Sequence, residues 1–242
     1  MLINADAKQL EWVAAVFLSQ DKVAIDEINN GIDIHHVNQH HLKLPSRLIA
    51  KIYLFRLIFG GSDYAYANDP DFRDAGLSQR QWAEVIERTY DKYKGLAQWH
   101  TNLMREVVDT GHLKICTGRV YSYKKDKNGE WPRTTILNYP VQGLGAELMA
   151  IARVSLMRRM KQAGLTSLFI CTVHDSILID APNEEVDIVC RMLYDVFADI
   201  PANFQRLFEI EFNLPMRVEV QVGMTWGDMK DVDKEKLYAI QC

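Results

Sequence analysis

The stretch LFICTVHDSILIDA, residues 168–181, sets His174 and Asp175 between two short apolar runs. Each run has the length and composition of a buried strand, and a two-residue polar link between them is hairpin spacing. Two other segments offer strands for this hairpin to join. Residues 1–5 read as a short strand, and MRVEVQV, 216–222, alternates apolar and polar residues with a strand's period. Alone, His174-Asp175 reads equally as a functional turn or as a polar bend.

Between the first strand and the hairpin the spacing is helical. KQLEWVAAVFLS, 8–19, is apolar at 10, 13, 14, 17 and 18. SQDKVAIDEINNG, 19–31, predicts a short helix stopped by Asn30-Gly31. SRLIAKIYLFRLIFGG, 46–61, has Pro45 near its start and Gly60-Gly61 at its end. Ser78 and Gln81 form a capping-box pattern ahead of one or two helices reaching Gly111. The segment 115–131 has β-rich residues around Asn128-Gly129, a hairpin signal. Long amphipathic helices follow over 143–164 and 184–200. The fold class is therefore α+β, with a helical insertion of roughly a hundred residues in an antiparallel sheet domain.

The chain has 242 residues, 48% hydrophobic and 25% charged, which is ordinary globular composition. A net charge of −4 excludes a chain that is basic throughout, while leaving room for local charge. Lys114 to Arg133 holds six Lys/Arg against Asp126 and Glu130, a net of +4, and from charge alone reads as a solvated hairpin or loop. Cys116, Cys171, Cys190 and Cys242 show no CxxC spacing and read as reduced thiols of a cytoplasmic protein. No 18-residue apolar run predicts a membrane helix, and the N-terminal residues carry charge where a signal peptide has its apolar core.

Asp6 ends the first strand and Asp175 tips the hairpin. Two carboxylates at the ends of neighbouring strands suit shared divalent metals, although from spacing alone two solvated turn aspartates is the simpler reading. Arg47, Lys51, Phe55 and Phe59 step by four along one helix, so they form one stripe from cations to aromatics. A nucleoside triphosphate has the same polarity, phosphates at one end and a π face at the other. An amphipathic helix with snorkelling cations gives the same pattern.

Taken together, these residues resemble family A DNA polymerases, the relatives of bacterial DNA polymerase I. Asp6-Ala-Lys-Gln9-Leu-Glu11 is similar to the family's first motif, and Asp33-Ile-His35 to the Asp-Ile-His after it. Arg47 to Gly60 resembles the second motif, with Phe59 in the place of Tyr. Asn138-Tyr-Pro-Val-Gln142-Gly143 looks like Asn-x-Pro-x-Gln-Gly, Val173-His174-Asp175 like the third motif, and Gly223-Met-Thr-Trp226 like the closing Gly-x-x-Trp. The blocks fall in the family's order along nearly the whole chain.

The resemblance implies a right-hand polymerase palm from 1–24 and 136–242, with helical fingers from 25–135. It implies template-directed transfer of dNTPs to a primer 3′-oxygen with loss of pyrophosphate. Asp6, Asp175 and the Ala7 backbone carbonyl would bind two Mg²⁺ ions, with Mn²⁺ as a substitute. Gln9, His35, Arg47 and Lys51 would contact the dNTP, Lys51 also protonating the departing pyrophosphate. Phe55 would lie by the sugar, Phe59 by the templating step, and Glu11 under the sugar as the gate against a 2′-hydroxyl. Asn138, Gln142 and His174 would meet primer–template DNA, and Arg119 and Arg133 its phosphates.

Three departures from the family pattern stand out. Ser176 replaces the third motif's Glu, Phe59 lacks the Tyr hydroxyl, and Ala7-Lys8 replaces Tyr-Ser. The expected chain also lacks a thumb and an exonuclease domain, which implies a fragment or one half of a split, phage-type enzyme. A thumb- and exonuclease-bearing segment or chain would then be its partner, in the host cytoplasm if the enzyme is phage-encoded. Ser176 motivates an alternative: a weak or inactive palm–fingers protein that binds DNA or a replication partner. A phosphohydrolase would leave the stepped helix unexplained. A zinc site from His35, His36, His40 and His41 is disfavoured by the lack of any accompanying Cys.

Overall fold

The computed structural model describes residues 1–239, so Cys242 lies outside it. From the N-terminus the elements are β1 (Leu2–Ala7), α1 (Leu10–Ser19), α2 (Lys22–Asn29), α3 (Ile34–Leu42), α4 (Arg47–Ile58) and α5 (Asp63–Asn68). Next come α6 (Gln79–Lys92), α7 (Lys94–Thr110), β2 (His112–Lys114), β3 (Val120–Ser122) and α8 (Arg133–Gln162). The chain continues through β4 (Leu168–Val173), β5 (Ser176–Asp180), α9 (Val186–Ala198), α10 (Ile200–Phe208), β6 (Val218–Gly223), β7 (Lys230–Asp231) and α11 (Lys234–Ala239). These divide into two compact units, one of Met1–Leu10 with the described residues from Gly145 onward, the other of Glu11–Leu144.

The first unit is built on an antiparallel sheet in the order β4-β5-β1-β6-β7. Ile3, Ala5, Ala7, Ile177, Ile179 and Val220 are buried on one face, where α9 packs with Val189, Leu193, Val196 and Phe197. Alternation sends Asn4, Asp6, Ser176, Glu219 and Gln221 to the other face. A one-residue slip of β1 would drive the Asp6 carboxylate into the core, so burial of Ile3, Ala5 and Ala7 fixes the register. The expected first strand, hairpin and 216–222 strand are all present in this sheet. The expected helix over 184–200 is α9, and a further helix, α10, follows it with Pro201 in its first turn.

The second unit is helical. Trp12 of α1 meets Tyr93 edge-on at 5.3 Å, and Tyr53, Tyr66, Phe72 and Trp82 form an aromatic core with centroids 5.1–5.6 Å apart. Asp21 caps α2 through Ala24 N–H at 3.0 Å and also accepts from Gly95 N–H at 2.6 Å, tying α2 to the start of α7. Inside, Lys92 Nζ pairs with Glu27 at 2.8 Å, and Tyr93 Oη donates to the same carboxylate at 2.7 Å. Burying that ion pair is tolerable because its polar neighbours are hydrogen-bonded too.

Residues 11–24 and 136–144, read above with the palm, group with these helices. Trp12 makes the Tyr93 contact, and Ile136 and Leu137 join Leu103, Val107, Leu113 and Tyr123 in one buried cluster. The expected hairpin around Asn128-Gly129 is corrected. β2 and β3 pair instead around residues 115–119, where Gly118 has a φ of 91°. Leu113 and Tyr123 anchor that pair in the core, while the Lys-rich 124–127 has no apolar alternation to bury. Asp126 folds residues 126–130 into a loop by accepting the Asn128 and Glu130 amides.

Candidate active site

In the sheet unit, Val173 pairs with Ser176, so His174 and Asp175 form a two-residue hairpin turn. His174 has a φ of 54°, the left-handed region that the first central residue of a type II′ turn requires and that glycine usually supplies. The turn leaves His174 exposed and Asp175 half-buried. Ala7 N–H donates to the Asp175 carbonyl at 2.9 Å, and Asp6 stands directly opposite Ser176. The end of β1 and the hairpin tip are thereby locked together, which brings Asp6, Ala7 and Asp175 into one place. Gln9, at a φ of 57°, turns the chain from β1 into α1.

These donors suit a hard cation. Mg²⁺ takes one or two carboxylates and fills its shell with water and phosphate oxygens, so it needs no cage of protein ligands. Asp6 and Asp175 supply that number, and the described residues hold no group of three or more His, Cys, Asp or Glu arranged to enclose a metal ion. Of the four clustered histidines, His35 turns inward, 3% exposed, while His36 and His40 stack edge to face at 4.5 Å.

In the helical unit, the α4 stripe stands clear of the core. Ile49, Ala50, Tyr53, Leu54, Leu57 and Ile58 are buried, whereas Arg47 and Lys51 are exposed and Phe55 and Phe59 half-buried. Ser46 caps the helix by accepting Ile49 N–H at 3.1 Å. Gly60 follows Phe59 at a φ of 86°, and a Cβ on Gly61 would meet Tyr66 Oη at 2.2 Å, so the glycine pair is a steric requirement. Lys51 Nζ lies 6.0 Å from the Phe55 ring. Arg47 is held by Asp33, the N-cap of α3. His35 packs its ring 6.0 Å from Phe55, and its Nδ1 has no hydrogen-bond partner. Burial, then the nearby Arg47 charge, lowers its pKa to about 4, so it is neutral at pH 7. His35 thus lies next to the stripe's Phe55.

Glu11 lies in the first turn of α1, where the helix dipole favours an acid. Asn138 and Gln142 are one helical turn apart on α8, half-buried and exposed, around a buried Pro140. A Cβ on Gly143 would fall 1.7 Å from Tyr121 Oη, so glycine lets β3 press against the helix beside Gln142. Arg119 is exposed on the β2–β3 hairpin. Arg133 faces Tyr90 and the buried His100, whose pKa falls to about 3 through burial and then the Arg133 charge.

Three features escaped the sequence reading. Asp33 holds Arg47, a role its N-cap position hints at. Tyr121 fills the space that Gly143 leaves. Glu219 stands opposite Asp6 on β6, and although alternation gives its face, nothing local gives its neighbour.

The sequence pattern that defines DNA polymerase family A matches residues 1–228, and the chain belongs to that family. It is 25% identical over 244 residues to DNA polymerase I of Geobacillus stearothermophilus, covering 95% of this chain and 26% of that protein. It is 28% identical over 243 residues to DNA polymerase I of Caldicellulosiruptor bescii, covering 95% and 27%. The chain thus spans about a quarter of the length of these relatives. The POL domain of Pol1 from M. smegmatis, solved in complex with DNA primer-template and dNTP, has the same fold: TM-score 0.80, 21% identity, 94% of this chain and 40% of that one. The α+β architecture is that of a polymerase palm and fingers. No described helix is long and apolar enough to cross a membrane.

Proposed function

We propose that this chain is the palm–fingers catalytic module of a DNA-directed DNA polymerase, extending a primer 3′-OH with dNTPs and releasing pyrophosphate. The observation that supports the reading is the Ala7 N–H bond to the Asp175 carbonyl, which joins the backbone next to Asp6 to that of Asp175 at the strand ends. Divalent ions bound there, Mg²⁺ or Mn²⁺, would activate the attacking oxygen and offset charge on the leaving one. Asp6, Asp175 and the Ala7 carbonyl would hold them. Arg47 and Lys51 bind the triphosphate, and Arg47 exchanges its bond to Asp33 for phosphate oxygens. Lys51 donates the proton that the leaving pyrophosphate needs. Phe55 packs on the deoxyribose, Phe59 positions the template, and Gln9 and His35 contact the dNTP. Glu11 blocks a 2′-hydroxyl.

His174, Asn138 and Gln142 contact primer–template DNA, where minor-groove acceptors occur in every base pair. Arg119 and Arg133 contact its phosphates, and the neighbouring lysines of the 114–133 segment add to that field. The palm is residues 1–24 and 136–242 and the fingers residues 25–135. A thumb- and exonuclease-bearing segment or separate chain completes the grip on DNA, and the enzyme works in the cytoplasm, a phage host's if phage-encoded.

Primer extension with Mg²⁺, an annealed primer–template and dNTPs tests this, with a thumb-bearing partner supplied. Asp175→Ala is expected to abolish incorporation, and Glu11→Ala to admit ribonucleotides or slow the step. No incorporation by the wild-type chain would favour the alternative, a palm–fingers protein that binds DNA or a replication partner, which the serine at 176 motivates.

A further inference from the structure

On the polar face of the sheet, one row of directly opposed residues reads Ser176, Asp6, Glu219 from β5 through β1 to β6. Val218 and Val220 flank Glu219 and are buried, 8% and 1% exposed, so alternation holds Glu219 on the same face as Asp6. Ser176 is only 7% exposed, and its hydroxyl donates to the Val173 carbonyl at 3.0 Å. It closes the hairpin turn and brings no charge to the row. Glu219 is about half exposed, and its carboxylate lies 3.3 Å from Lys8 Nζ. Lys8 follows Asp6 by two residues, and its N–H is fixed to the Arg217 carbonyl at 2.9 Å.

Two acids directly opposed across a ladder repel each other and weaken a sheet. Asp6 and Glu219 are directly opposed in this way, so a cation bound beside them would favour the arrangement. Lys8 meets Glu219 in this structure.

We propose that Glu219 is a positioning residue of the Asp6–Asp175 site, supplying from β6 the auxiliary negative charge that Ser176 does not supply from β5. Its carboxylate acts from outside the inner ligands. It orients water and Asp6 toward a bound divalent cation, as outer carboxylates commonly do for metal ligands. Lys8 holds that charge in the row when no divalent cation is present. The inference rests on the reading of Asp6 and Asp175 as cation-binding carboxylates.

Mn²⁺ binding to the full chain, followed by loss of the free-ion electron paramagnetic resonance signal, tests it without turnover. Asp175→Asn identifies the site in the wild type. Glu219→Gln is expected to weaken binding there by about tenfold, the lower end of the losses that outer-shell substitutions cause. Adding Ser176→Glu to Glu219→Gln is expected to restore it to within about threefold. Lys8→Met breaks the same ion pair while leaving the carboxylate, so its binding should be unchanged or tighter.

Wild-type affinity in Glu219→Gln overturns the proposal. So does an equal loss in Lys8→Met, which would assign the effect to the ion pair. A wild-type chain with no Asp175-dependent Mn²⁺ site fails differently, by removing the carboxylate reading itself. Thermal melting of the metal-free variants separates lost binding from lost folding.

Discussion

Arg47 and Asp33 form a two-point clasp: Nε donates to Oδ2 at 2.8 Å and Nη2 donates to Oδ1 at 3.2 Å. The same carboxylate accepts the His35 and His36 amides, both at 3.1 Å. One side chain thus caps α3 and holds the first residue of α4. The Arg47 hydrogen bond is the main reason that the Asp33 carboxyl is held below its ordinary range, with burial opposing it. A lowered carboxyl stabilises the fold above its unfolded pKa of about 4, and that contribution is lost as pH falls through the lower folded value. Asp33→Asn should therefore flatten the acid limb of a melting-temperature profile. Its cost at pH 7 should be below about 1 kcal/mol, because the pair is half exposed. Asp33→Ala should lose about 1 kcal/mol more with the cap. Equal melting temperatures for the two variants would remove the cap from this account.

The buried histidines give a second acid sensitivity. His35 and His100 titrate near 4 and 3, below the ordinary 6.5, chiefly because burial disfavours the imidazolium. Below pH 6.5 the unfolded chain takes up protons that the fold refuses, so stability is full above 6.5 and falls toward the folded values. Urea midpoints between pH 7.5 and 5 should decline, by at most about 1.4 kcal/mol per pH unit for each histidine. A flat profile would mean that neither ring is held neutral.

The left-handed φ of His174 sets stability against function. A non-glycine residue there costs about 1–2 kcal/mol, partly offset by the flexibility glycine adds to the unfolded chain. His174→Gly should therefore raise the unfolding free energy by up to about 1 kcal/mol while weakening primer–template binding. Gains in both stability and DNA affinity would show that the imidazole has no role at the primer end.

Gly95 is fixed by the α2 cap. A Cβ there would stand 2.7 Å from Asp21 Cα, a backbone atom, and would push on the carboxylate that accepts Gly95 N–H. Gly95→Ala should cost about 2 kcal/mol, in the range for overpacking a tight interior. A melting temperature matching wild type would mean that α7 slides away at little cost.

The sequence by itself determined which segments could become strands and helices, and much of the site's chemistry. Alternation in MRVEVQV and the two runs around His174-Asp175 define strands whose apolar faces need a core. The four-residue step from Arg47 to Phe59 predicts one stripe, and burial of Ile49, Tyr53, Leu54 and Leu57 leaves that stripe clear of the core. These are local periodicities, readable without knowing any partner. The Asn128-Gly129 hairpin failed for the complementary reason: its turn residues are correct, but no apolar alternation beside them rewards a ladder. Tertiary structure alone decided that Arg47 meets Asp33, that His35 is buried against Phe55, and that Asp6 is flanked by Ser176 and Glu219. Each depends on which distant segment lies alongside and in what register. Burial on the opposite face of the sheet sets that register, and no residue beside Asp6 in the sequence carries it.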